Sequence, residues 1–258
     1  MHPVLKSGER VDRLLDYATG IIQSSKVFCF SLDAVLLAAF ALTHKKDVVV
    51  DLGTGTCAVP LLLMHKKYPP KKILALEIQP ELADMAGRSV EMNGLLPIIE
   101  VKCCDLRDRT CLPESGCADL VICNPPYEKH GSGKTSKEDN VRVARHEMSC
   151  TLADVARAAD WLLKYRGRLV IVHKPERLPE IFEVMRQVGI EPKRLLLSAP
   201  KHGAVPNMAV VEGMRGGAPG LKIEPLLLVH DDAGGYTQQM KKIFAGEGGA
   251  SEDGADAK

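Results

Sequence analysis

Between residues 48 and 199, short runs of branched apolar residues alternate with longer segments whose apolar positions recur at helical spacing. The runs VVV (48–50), ILALE (73–77), IIEVKCCD (98–105), ADLVICN (118–124) and RLVIVH (168–173) read as strands. The spacing predicts helices over AVPLLLMHKK, over PELADMAGRSVEMN (80–93) with Pro80 at its start, and over RLPEIFEVMRQVG (177–189). A further helix is expected over TLADVARAADWLLKYRG (151–167), opened by a threonine cap and closed by glycine. KRLLLSA (193–199) and NMAVVEGM (207–214) bring the strands to seven. Such alternation predicts an α/β fold: a doubly wound, Rossmann-like, mostly parallel twisted sheet with helices on both faces. The connection from 199 to 207 holds KHGAVP and no helix, so one antiparallel strand is expected at the sheet edge.

Length and composition bound the rest. A chain of 258 residues, 45% apolar, can bury one full core. The main domain is expected over 46–214, after a flanking segment with a helix (1–45) and before a C-terminal extension (215–245). GGAPG (216–220) reads as the linker, and 246–258 as a disordered tail. The 34 basic and 33 acidic residues nearly cancel, so a nucleic-acid partner would need a local patch. The longest apolar stretch, VFCFSLDAVLLAAFAL, is interrupted by Asp33 and is too short for a membrane span, and no signal-peptide core precedes it. A cytoplasmic monomer without membrane contact is expected. Eight cysteines without a CxxC pair are expected as reduced thiols, mostly small buried hydrophobes rather than metal ligands.

In open α/β sheets ligands bind beyond the carboxyl ends of the strands. Asp51, Glu77, Asp105 and Asn124 fall at those ends of the first four strands. The turn from Gly53 to Ala58 matches GxGxxA, a weak dinucleotide signal. Asp51 argues against a pyrophosphate there and suits a cationic amino-acid group. S-adenosylmethionine has an ammonium, a sulfonium and no phosphate. Asp51 is then the partner of its amino-acid end, and Gly53, Thr54 and Gly55 let the backbone pass close to it. Glu77 accepts from the ribose hydroxyls and Asp105 from the adenine amino group. Asp108 and Cys104 compete with Asp105, and an ordinary capped turn also explains CDLRD.

Asn124-Pro125-Pro126-Tyr127 is the strongest local signal. The prolines stiffen the backbone and remove its donors, leaving carbonyl oxygens to accept. The Asn124 amide oxygen and the Pro125 carbonyl together suit the two hydrogens of one amino group. Holding them draws a conjugated amine out of planarity and localises its lone pair, so that positioning replaces a strong base. Tyr127 offers a π-face to the target ring. The GSGKTS that follows resembles a phosphate loop, but the glycine required five residues before Gly133 is Glu128. From Lys129 to Arg145 there are five basic residues against two acids, so Lys129, Lys134 and Arg142 are candidate phosphate contacts. An uninvolved surface loop fits the same composition.

With these residues in view, the chain resembles the class I S-adenosylmethionine-dependent methyltransferases of the amino-group type, which carry [DN]PP[YFW]. More closely, it resembles the bacterial tRNA adenine-N6 methyltransferases that modify adenine 37 of the valine tRNA anticodon loop. The likeness spans about residues 10–245 and includes VFCFSLDAVLLAAFA, DLGTGTC, ARHEMSCTLADV, RLVIVHKPERLPEI and PLLLVHDDAGGYTQQM. It implies methyl transfer to adenine N6 in tRNA, with Phe30 and Asp33 near the methionine end of the cofactor. The residues themselves equally allow Asp33 as a helix N-cap and Phe30 as core. Cys57 departs from the family pattern, which has glycine there. Guanine-N2 RNA methyltransferases share the motif. Protein glutamine methyltransferases carry a larger N-terminal module than the roughly forty-five residues that precede the first core strand. A degenerate RNA-binding module of the same fold is the non-enzymatic alternative.

Overall fold

The computed structural model describes residues 5–15, 18–24, 31–125 and 150–246. An antiparallel hairpin, β1 (Glu9–Arg13) and β2 (Gly20–Ser24), precedes helix α1 (Leu32–Phe40). Strands and helices then alternate: β3 (Val48–Leu52), α2 (Ala58–Leu63), β4 (Lys72–Glu77), α3 (Pro80–Met92), β5 (Ile99–Cys103) and β6 (Ala118–Cys123). After residues 126–149, which lie outside the description, come α4 (Leu152–Leu162), β7 (Leu163–His173), α5 (Leu178–Gln187), β8 (Ile190–Ala199) and β9 (Met208–Arg215). Two short strands, β10 (Lys222–Ile223) and β11 (Leu227–Leu228), and helix α6 (Gln238–Phe244) follow.

The main sheet runs in the order β10-β8-β9-β7-β6-β3-β4-β5, with β11 also on β8. It is parallel except at β9, the antiparallel strand expected at the sheet edge, which lies one strand in, between β7 and β8. From β3 the chain winds outward through β4 to β5, then returns to place β6 on the other side of β3. The direction of winding therefore reverses between β3 and β6, and a crevice at the strand ends is expected there.

Strand alternation sorts the core into two layers. Val49, Ile73, Ala75, Leu120, Ile122, Val170 and Val172 face a cluster with α1, α2, α3 and Met240 of α6. Val50, Leu52, Leu76, Val121, Cys123, Leu169 and Ile171 face the other cluster, with α4 and α5. Both faces are buried, which is why the parallel strands read as unbroken apolar runs.

Two expectations need correction. The helix beginning after Thr151 ends at Leu162 rather than at glycine, because Leu163 is buried and pairs with Ala118 in the sheet. The register then jumps from Ala118/Leu163 to Leu120/Arg168, and this bulge takes up the extra residues. Arg166 has a left-handed φ of 67°, and a Cβ on Gly167 would stand 2.9 Å from the Lys164 carbonyl oxygen. Second, the cysteines are not all thiols. The turn after β5 brings Cys104 and Cys111 to a Cα separation of 5.7 Å, and they are joined as a disulfide. Five other described cysteines are free.

The hairpin is held outside the sheet by α3. Asn93 accepts from the Gly20 amide (3.1 Å) and donates to its carbonyl (2.7 Å), while Ser89 Oγ accepts from the Ile22 amide (2.9 Å). Arg88 grips both carboxylate oxygens of Glu9 at 2.8 and 2.6 Å. At the far end of α1, Lys66 Nζ donates to the carbonyls of Ala38, Ala39 and Ala41 at 2.8, 3.1 and 2.7 Å, a cationic cap for a helix C-terminus. Among the described residues no helix is long and apolar enough to cross a membrane.

Candidate active site

Asp51 follows Val49 on the same face of β3, and Glu77 follows Ile73 and Ala75 on the same face of β4. Asn124 directly follows β6, and Asp105 lies two residues past β5. Asp51 and Glu77 therefore share the α1–α3 side of the sheet, and Asn124 and Asp105 lie just beyond the carboxyl ends of their strands. Leu52 pairs with Leu76 and with Cys123, so Gly53, Glu77 and Asn124 form the next row across three neighbouring strands. At the usual strand spacing, Glu77 and Asn124 stand about 10 Å apart with Gly53 between them.

The glycine turn is built around Glu77. The amides of Gly53 and Thr54 both donate to the Leu76 carbonyl at 2.9 Å, folding the turn over the end of β4. Glu77, 4% exposed, accepts from the Gly55 amide on Oε2 and from the Gln79 amide on Oε1, each at 2.9 Å. Oε1 also accepts from the Gln79 side-chain amide at 3.4 Å, so Oε2 is the oxygen with acceptor capacity left over. Gly53 (φ +72°) and Gly55 (φ +59°) lie in the left-handed region, and no atom stands within 4 Å of where a Cβ would be. Cys57 also adopts a left-handed φ of 75°, which accounts for the glycine usual at that position in the resembled family.

Beneath this turn Asp51 is 1% exposed, and its Oδ2 has no hydrogen-bond partner; nor does the buried hydroxyl of Thr54. Burial pushes the Asp51 carboxyl up to about 7, and the negative Glu77 adds to the rise. Thr54 opposes the shift, although its hydroxyl stands outside hydrogen-bonding geometry. An orphaned buried acceptor, two nearby acidic groups and an open glycine turn fit a ligand that brings donors and positive charge. They do not fit a pyrophosphate.

Asp105 is more engaged than its sequence suggests. Arg107 brackets its carboxylate, Nε at 3.0 and 3.1 Å and Nη2 at 2.6 Å, and holds its pKa below the usual range. Asp33 is not the N-cap of α1; Ser31 takes that position and donates to Asp33 Oδ2 at 3.0 Å. Asn124 and Pro125 are half-buried at the end of β6. Phe30, Pro126, Tyr127, Lys129, Lys134 and Arg142 lie outside the described residues. His173 closes β7 on the opposite face; burial lowers it to about 4, so it is uncharged, and its Nδ1 accepts from the Lys174 amide. No sequence signal marks Gln23, beside Ser24 in a short strand, yet it is 1% exposed and both its amide atoms lack partners.

A mainly parallel sheet wound in this order, with a glycine turn and acidic residues on its carboxyl rim, defines a Rossmann-like methyltransferase fold. Residues 21–189 match the methyltransferase small domain family, and the chain belongs to that family. A relative from Bacteroides fragilis (strain YCH46), named tRNA1(Val) (adenine(37)-N6)-methyltransferase, is 27% identical over 179 residues, covering 69% of this chain and 74% of its own. Among solved structures, a predicted O-methyltransferase from Agrobacterium tumefaciens superposes with a TM-score of 0.70 at 20% identity, over 86% of this chain and 99% of its own. Geranyl diphosphate C-methyltransferase from Streptomyces coelicolor, crystallised with S-adenosyl-L-homocysteine, gives 0.51 at 13% identity, over 71% and 79%.

Proposed function

We infer that the protein transfers a methyl group from S-adenosylmethionine to the N6 amino group of an adenine in tRNA, with adenine 37 of the valine tRNA anticodon loop as the target. The observation that carries this reading is the row of Glu77, Gly53 and Asn124 above the buried, unpartnered Asp51. The relatives named for that reaction supply the choice of acceptor.

S-adenosylmethionine, when bound, supplies an electrophilic methyl group on a sulfonium centre. Asp51 Oδ2 accepts from its ammonium, and the open turn at Gly53, Thr54 and Gly55 admits the backbone close to it. Glu77 accepts from a ribose hydroxyl on Oε2, with the lone pair that the Gly55 amide leaves over. Asp105 reaches the adenine amino group while shared with Arg107. Phe30 and Asp33 border the methionine end. Across the row, the Asn124 amide oxygen and the Pro125 carbonyl each accept one hydrogen of the target amine, which localises its lone pair. Pro126 stiffens this grip and Tyr127 stacks on the target ring. Lys129, Lys134 and Arg142 meet substrate phosphates. An anticodon-loop adenine is already unpaired, so no base has to be extruded from a duplex.

The test is transfer of radiolabelled methyl groups to total tRNA, followed by nucleoside analysis. N6-methyladenosine is expected. N2-methylguanosine would transfer the assignment to guanine, and unlabelled RNA alongside intact donor binding would reject RNA methylation.

A further inference from the structure

β5 closes one end of the main sheet, and among the described residues it has a strand neighbour, β4, on one side only. The hydrogen bonds at its two ends fix which way its backbone groups face. The Ile98 carbonyl accepts from the Ile73 amide at 2.8 Å, and the Cys104 amide donates to the Glu77 carbonyl at 2.8 Å. In a parallel ladder this turns the N–H and C=O groups of the even-numbered residues toward β4, and those of Ile99, Val101 and Cys103 outward. The Ile99 amide is taken by the Leu95 carbonyl at 2.8 Å. Its carbonyl, and both main-chain groups of Val101 and Cys103, are left as the open side of a ladder.

The side chains on this edge are arranged symmetrically. Glu100 and Lys102 lie on one face of the strand, one residue to either side of Val101. An antiparallel copy of the same strand, paired about Val101, sets each Glu100 directly opposite the partner's Lys102. These are non-hydrogen-bonded positions, where facing side chains come closest. A two-fold axis through Glu100 or through Lys102 would set like charges face to face instead, so the charges select one register. The present contacts of both side chains are at the surface and can be exchanged or shared: Glu100 with Lys72 at 3.0 Å, and Lys102 with the Cys111 carbonyl at 2.6 Å. In the same register Val101 exchanges both of its bonds with its counterpart, and each Cys103 amide donates to the partner's Ile99 carbonyl.

Apolar side chains stand exposed at the two ends of the strand. Leu96, just before it, is 56% exposed, and Ile78, whose carbonyl lies 3.6 Å from the Cys103 sulfur, is 39% exposed. Antiparallel pairing brings the Leu96 end of one strand to the Ile78 end of the other and covers both. We propose that the protein forms a homodimer through β5, antiparallel about a two-fold axis at Val101, joining the two main sheets into one. The monomer expected from sequence is set aside by this pairing, which does not depend on the choice of methyl acceptor.

The experiment is sedimentation equilibrium of the full chain over a concentration series. Wild type is compared with Glu100→Lys, Lys102→Glu, the double exchange of both, and Val101→Pro. Wild type is expected to dimerise. Either single reversal opposes like charges at two places and should weaken the dimer roughly tenfold, while the double exchange should return it to within about threefold of wild type. Val101→Pro removes an outward N–H that no β4 group uses, so it should abolish the dimer and leave the circular dichroism spectrum as in wild type. A wild-type chain that stays monomeric at the highest attainable concentration overturns the proposal. A dimer indifferent to the single reversals, or one that the double exchange does not restore, overturns it as well, since the contact would then lie on another surface. Should Val101→Pro fail to fold, the charge variants, altered only at exposed side chains, decide alone.

Discussion

Asn124 and Glu77 stand one strand to either side of Gly53, so substitutions at the two should separate chemistry from binding. On the proposed reading, Asn124→Ala takes from the target amine one of its two acceptors and leaves the glycine turn untouched. The expected outcome is a fall in kcat of about a hundredfold with donor affinity within about twofold of wild type. Turnover that survives would mean the amine is held elsewhere. Glu77→Ala acts on the other side: it strips the Gly55 and Gln79 amides of their partner and, on the proposed reading, removes the ribose acceptor. Donor binding measured by calorimetry should weaken roughly tenfold or more. Normal affinity would take Glu77 out of the cofactor site and leave it as a brace for the turn.

At the scale of elements, the start of α4 is the sharpest case. Thr151 and Asp154 form a reciprocal capping box: Thr151 Oγ1 accepts from the Asp154 amide at 3.2 Å, and Asp154 Oδ2 accepts from the Thr151 amide at 2.8 Å. Thr151→Ala should cost about 1 kcal/mol in urea unfolding and Thr151→Ser much less. Equal losses would assign the effect to the methyl group instead. This cap was legible because a threonine before an amphipathic run is a local signal. So were β3, β4 and β6, whose unbroken apolar runs follow from burial on both faces. What escaped depends on distant partners. β1 reads ERVDR and is mostly exposed, and the side chains that seat its hairpin come from α3, some seventy residues on. Leu163–Arg166 continued the helical spacing of α4, and only pairing with β6 draws it into the sheet. The rim was legible because each acid ended a recognisable strand. The bracket of Arg107 on Asp105, the disulfide and the burial of Gln23 had no local pattern to announce them.

For the whole molecule, the burial of Asp51 couples stability, pH and donor binding. Its folded pKa of about 7 is above the ordinary value of about 3.9, so the folded protein without donor holds the proton more tightly than the unfolded chain. Its contribution is complete below about pH 4 and is lost as pH rises through 7, a swing on the order of 4 kcal/mol. His173 has the opposite sign. Lowered to about 4 from an ordinary 6.5, it favours the folded state increasingly as pH rises from 4 to 6.5, by a comparable amount. The two nearly cancel over that range, so the decline due to Asp51 should surface only above about pH 6.5. On the proposed reading a cationic donor changes the balance, because it needs Asp51 ionised. Below 7 its binding must first remove a proton, and affinity should rise about tenfold per pH unit toward 7 and then level off. The thermal stabilisation given by a fixed donor concentration should accordingly be larger at pH 8 than at pH 5.5. Scanning fluorimetry with and without donor across that range checks this. Asp51→Asn, which leaves His173 titrating, should flatten the pH dependence of the donor-induced shift and reduce the shift itself. A shift that is the same at both pH values in wild type would mean that Asp51 does not face the charge of the donor.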